Sequence, residues 1–86
     1  MKMIVGTDPV LVDTSDAYPD RGSSGQIVLI QNLGPGTVYA DFAENPVDGI
    51  RLAASGDAWE FQRAAGQELY VVASEAGTDV RVVAVG

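Results

Sequence analysis

The sequence predicts an all-β fold, a small antiparallel β-sandwich or compact barrel of about six to eight short strands with an extended N-terminal arm. Three observations predict it. Short runs rich in Val, Ile, Tyr and Trp recur from Gln26 onward, and such residues suit a pleated, half-buried surface. A Gly-containing turn follows nearly every run, which is the punctuation of closely spaced strands. No stretch sustains a 3.6-residue apolar period, so helix is not expected.

Taken in order, Gln26-Ile27-Val28-Leu29-Ile30-Gln31-Asn32 is apolar on both pleat faces, the pattern of a central strand covered on both sides. Asn32-Leu33-Gly34-Pro35-Gly36 is a turn signal. Thr37 to Phe42 then alternates, with Val38, Ala40 and Phe42 on one face, and the two runs are expected to form a hairpin. Glu44 to Gly49 reads as a loop, and Ile50 and Leu52 flank Arg51 in a short third strand. Ser55-Gly56-Asp57 turns the chain into Ala58 to Gln62, where Trp59 and Phe61 share a face. After a break at Ala64 to Gln67, Glu68 to Ser74 and Asp79 to Val85 are expected to form a last hairpin. Their inward sets are Leu69, Val71, Ala73 and Val80, Val82, Ala84, or the opposite parity if both faces are covered.

The first 25 residues differ. Val10-Leu11-Val12 is a short strand candidate among turn-forming residues, and Gly22 to Gly25 resembles a Gly/Ser linker. The expected organisation is an arm over residues 1–20, a linker over 21–25 and a β-sandwich over 26–86. The arm carries Met3, Ile4, Val5, Val10, Leu11, Val12 and Tyr18, enough apolar surface to require a partner. It either adds strands to its own sheet or docks on a neighbour by strand addition.

Composition narrows function. The 86-residue chain contains no Cys and no His, and its 12 Asp plus Glu against 5 Lys plus Arg give a net charge of −7. Thiol catalysis, disulfides, Cys/His zinc sites and imidazole acid–base chemistry are excluded. Few and unclustered cations disfavour nucleic acid and anionic lipid. No apolar run approaches the roughly 20 residues of a membrane span, and the start is too short in apolar residues for a secretion signal, so synthesis in the cytoplasm is expected. Meanwhile 47% of residues are hydrophobic and 20% charged. A domain this small buries only about 60–65% of its unfolded-chain surface, which makes self-association or docking on a larger partner the expectation.

Candidate chemistry is sparse. Asp13, Asp16 and Asp20 share one segment and Asp41, Glu44 and Asp48 another, but neither has the alternate-residue spacing and Gly of a calcium loop. The serines have no His partner, and the only lysine is Lys2, so nucleophilic catalysis lacks its base. Gly34-Pro35-Gly36 is followed by no helix or Lys that would cradle phosphate. Neither an enzyme nor a cofactor or metal site is expected. Trp59, Tyr39 and Tyr70 are candidates for a sugar-stacking platform, while Trp59, Phe61 and Tyr39 are more simply an oligomer interface, since aromatics dominate such contacts.

The C-terminal 60 residues resemble a known group. Ile27 to Tyr39 with its Asn-Leu-Gly-Pro-Gly turn, Ile50-Arg51-Leu52 with the Gly56 turn, Gly66 to Ser74, and Val80 to Val85 carry the resemblance. Together they are similar to the small β-sandwich virion proteins of tailed bacteriophages, especially the capsid decoration (cement) and head-fibre type. The resemblance implies a non-enzymatic structural role: a homotrimer on the outer capsid surface that clamps neighbouring copies of the phage major capsid protein, with an N-terminal arm that orders on the shell. A charge of −7 suits an outer surface better than one facing packaged DNA. A phage tail or head–tail connector subunit is the alternative within structural proteins, and a sugar- or receptor-binding module the alternative outside them.

Overall fold

A computed structural model describes residues 1–15, 17–18 and 25–85. Among the described residues eight strands form: β1 (Lys2–Val5), β2 (Val10–Leu11), β3 (Gln26–Gly34), β4 (Val38–Asp41), β5 (Ile50–Leu52), β6 (Ala58–Arg63), β7 (Tyr70–Ala73) and β8 (Thr78–Val85). One 3-10 turn, Pro46–Asp48, sits between β4 and β5. No helix among the described residues is long and apolar enough to cross a membrane.

The strands make two four-stranded sheets, in the orders β1-β8-β3-β6 and β2-β7-β4-β5. Every pairing is antiparallel. These interleaved orders are those of a jelly roll, the double Greek-key sandwich. The expected all-β sandwich is therefore present. Its core lies between the sheets, built from Val28, Ile30, Val80 and Val82 on one side and Val38, Ala40, Val71 and Ala73 on the other. The inward sets expected for β7 and β8 are the buried ones: Leu69, Val71, Ala73, Val80, Val82 and Ala84.

Two expected hairpins are absent, because both turns carry the chain from one sheet to the other. β3 pairs with β6 and β8, while β4 pairs with β5 and β7. Likewise β7 lies in the second sheet and β8 in the first. The turn at Asn32 to Gly36 contains a cis Gly34–Pro35 bond and a positive φ at Gly34. Its geometry is set by Asn32, whose Oδ1 accepts from the Gly34 amide while its Nδ2 donates to the carbonyls of Gly36 and Leu52, each at 2.8 Å. Among the described strands, only β4 and β5 are both sequential and paired.

Of the two outcomes expected for the N-terminal segment, its described residues take the first and add strands to the chain's own sheets: β1 pairs with β8 and β2 with β7. Val5 and Val12 are fully buried in the core, and Met3 and Tyr18 pack against it. The physical reason is that β8 and β7 offer ladders at the margins of the two sheets, and Val5 and Val12 fill core space between them. The expected linker at 21–25 lies outside the described residues except for Gly25.

A third departure concerns β3. Its pattern alternates buried and exposed, so the strand is covered by the second sheet on one face alone.

Candidate interaction surface

The outer face of the first sheet is where β3 and β8 place residues that a solvated face would not choose. Ile27 pairs across strands with Val85, and Leu29 with Val83. These four are 38%, 57%, 41% and 47% exposed, respectively, and form a two-by-two apolar block in the middle of the sheet. Ile4 on β1 and Leu33 at the β3 bulge add exposed apolar surface toward the other end. β6 borders the block with Gln62 beside Ile27 and Glu60 beside Leu29. In most solvated sandwiches this face alternates to polar residues.

One end of the face is charged. Asp79 and Arg81 stand on β8, and Arg81 donates to both carboxylate oxygens of Asp79, at 2.8 Å from Nε and 3.0 Å from the terminal nitrogen. Lys2 on the neighbouring strand lies 3.9 Å from Asp79. The Arg81 hydrogen bond, helped by the nearby Lys2 charge, holds the Asp79 carboxyl below the usual carboxylate range, and the same bond raises Arg81. The group is exposed, so this ion triplet orients charges more than it stabilises the fold.

At one end of the sandwich, an open cleft of about 310 Å³ is lined by residues including Val12, Thr14, Tyr18, Gln26 and Arg63. Thr14 donates to Gln26 Oε1 at 3.0 Å, Arg63 donates to Thr14 Oγ1 at 2.9 Å and also to Gln26 Oε1. Gln26 in turn donates to the Tyr18 carbonyl at 3.0 Å. These groups satisfy one another and tie the N-terminal segment to β3 and β6. Asp13 is engaged locally: Ser15 donates to it through both Oγ and the backbone amide, which lowers its pKa. Among the described residues, no group of carboxylates is placed to hold a metal ion; Asp16 and Asp20 lie outside them.

The residues expected at an oligomer interface do not converge. Phe61 is buried in the core of its own chain, edge-on to Phe42 at 5.9 Å between ring centres, so it is not available to a neighbour. Tyr39 stands half-buried on the outer face of the second sheet, beside Val72. Trp59 is half exposed on β6, the margin of the first sheet. Tyr39 and Tyr70 share a sheet face that Trp59 does not, so the three aromatics build no common stacking platform. Of the seven residues expected to bind a partner through an arm, Val5 and Val12 are core, Met3 and Tyr18 partly buried, and Ile4, Val10 and Leu11 exposed.

Sequence reasoning did not single out Ile27, Leu29, Val83 and Val85 as interface residues. Ile27 to Ile30 and Val82 to Val85 are apolar on both pleat faces, a pattern that strands covered on both sides share. Comparison with known proteins finds no matching family model, no similar curated protein and no similar solved structure.

Proposed function

We propose that the protein is a non-enzymatic structural subunit of a phage virion, a capsid decoration protein that sits on the outer capsid surface and stabilises the shell by bridging major capsid subunits. One observation carries this reading: the jelly roll exposes an apolar block on the outside of its central strand pair. An apolar area of that kind is buried in assembly, not in catalysis. The jelly roll is a recurrent capsid architecture, which supports the reading by analogy alone. The resemblance of Ile27 to Tyr39 and of the final two strand runs to phage decoration proteins adds to it. Multiple modest contacts across a lattice of identical capsid subunits gain from multivalency, so the subunit acts without any deep pocket.

Purified virions test the role. The protein is expected in DNA-filled heads at a copy number that scales with the capsid lattice, and its deletion is expected to lower the temperature at which heads release DNA. Low copy number at one vertex points to the tail or connector alternative. Absence from heads, or unchanged heat resistance after deletion, rejects capsid decoration.

A further inference from the structure

We propose that β6 is a joining edge: the β6 strands of two copies of this chain pair antiparallel about a two-fold axis normal to the first sheet, between the two Phe61 residues. The inference goes beyond the assembly reading above and is tested without it.

The phase of the ladders shows which sheet margin is open. The Asn32 amide donates to the Asp57 carbonyl, and the register of β3 on β6 is constant from Gln26 to Gln31. Trp59, Phe61 and Arg63 therefore turn their backbone groups toward β3, and Ala58, Glu60 and Gln62 turn theirs away. Those three residues are exposed, and their N–H and C=O groups have no partner among the described residues. The other three margins offer less. At β2 the Val12 amide bonds the Leu69 carbonyl, which leaves Leu11 open, two residues after Pro9. At β5 the Ser74 bond to the Thr37 carbonyl sets the phase that leaves Arg51 open. At β1 the Val82 bond to the Met1 carbonyl leaves Lys2 and Ile4. Short length, Pro and Lys protect sheet edges against strand addition. β6 has six residues, no Pro, no Lys and no bulge.

Trp59 marks the missing neighbour. Its cross-strand partner Ile30 is fully buried, so Trp59 stands on the core side of the sheet, yet it is 50% exposed. A strand laid along β6 covers that flank, and a second β6 has the matching chemistry. An axis normal to the sheet keeps core side beside core side, so residues of equal parity pair. Centred on Glu60, the two carboxylates oppose each other. Centred on Trp59, Asp57 falls beside the partner's Phe61. Centred on Phe61, Glu60 and the partner's Gln62 exchange both backbone bonds, and the symmetric pair does the same. The Gln62 amide then meets a carboxylate on the outer side, and Trp59 meets the partner's Arg63 on the core side, a ring beside a guanidinium. Each Glu60 stands about 8 Å from its own copy along the diagonal.

An edge contact is small and belongs to the weak, transient class below about 1,200 Å², so dissociation on the order of 100 µM is expected. Its consequence is geometric. The joined eight-stranded sheet turns both apolar blocks to one side, with the two β3 strands three spacings, or about 14 Å, apart. Such a pair meets a larger surface at two points at once.

Sedimentation equilibrium of the isolated full-length protein tests the pairing. The wild type is expected to approach the mass of two chains at several hundred micromolar. Glu60→Pro removes an outward N–H that β3 does not use, a change an edge strand tolerates, and is expected to weaken the pair at least tenfold with an unchanged circular dichroism spectrum. The register is tested separately, because the chain has no Cys of its own. Glu60→Cys mixed with Gln62→Cys is expected to form a mixed disulfide in a glutathione buffer at least tenfold faster than either variant links to itself. Positions 60 and 62 lie opposite each other about 5.5 Å apart between Cα atoms, within disulfide reach, whereas each lies about 8 Å from its own copy, beyond it. A wild type that stays monomeric at about 1 mM overturns the proposal, as does a pair indifferent to Glu60→Pro. Faster self-linking of Glu60→Cys overturns this register, since it places the axis at Glu60. Loss of the virion role with the pair intact rejects capsid decoration and leaves the pairing standing.

Discussion

Asn32 shows how one residue fixes the path of this chain. It is fully buried, and its side chain makes three hydrogen bonds at 2.8 Å. Its backbone is paired as well, donating to the Asp57 carbonyl at 2.9 Å and accepting from the Gly56 amide at 3.0 Å. The side chain thus links the end of β3, the crossing to β4 and the end of β5. Asn32→Ala leaves two carbonyls and one amide without their partner, at about 1–3 kcal/mol for each buried group, less than additively. A loss of about 3–4 kcal/mol in urea unfolding is expected, and Asn32→Asp should do no better, because a carboxylate cannot donate to two carbonyls. Asp79 gives a second prediction. Its depressed pKa means the unfolded chain takes up the proton first as pH falls. The stabilisation is complete above the ordinary carboxylate pKa and is lost as pH falls from there through the depressed folded-state value. The melting temperature of Asp79→Asn should therefore fall less steeply than wild type as pH drops below about 4.

At the scale of elements, the sequence located the strands from β3 to β8 well and paired them poorly. A run such as Glu68 to Ser74 advertises a strand through its own side chains, so local pattern suffices. The turn Asn32-Leu33-Gly34-Pro35-Gly36 advertises only a reversal. Whether the next strand returns to the same sheet depends on contacts far along the chain, here Asn32 to Leu52, which no local pattern contains. For a related reason the sequence does not decide between the chain's own sheet and a neighbour for the N-terminal segment. Turn residues around Val10 to Val12 resemble linker chemistry, yet Val5 and Val12 complete the core and the Val12 amide bonds the Leu69 carbonyl at 2.8 Å. Each buried Val contributes about 1.5–3 kcal/mol. Two of them, together with the β1 ladder, rival the whole stability of a domain this size, about 4–13 kcal/mol. Removing residues 1–20 is accordingly expected to abolish the cooperative thermal transition. A folded, soluble product would mean that the segment is dispensable after all.

The interaction face was half legible for a whole-molecule reason. Sequence shows that Ile27, Leu29, Val83 and Val85 lie on apolar strands, but whether a second layer of the same chain covers them depends on how all eight strands divide between two sheets. That division spends the cover on one side. The exposed block of Ile27, Leu29, Val83 and Val85 is thus a property of the whole sandwich: it is set by where the other six strands go, and the sequence of β3 or β8 alone does not announce it.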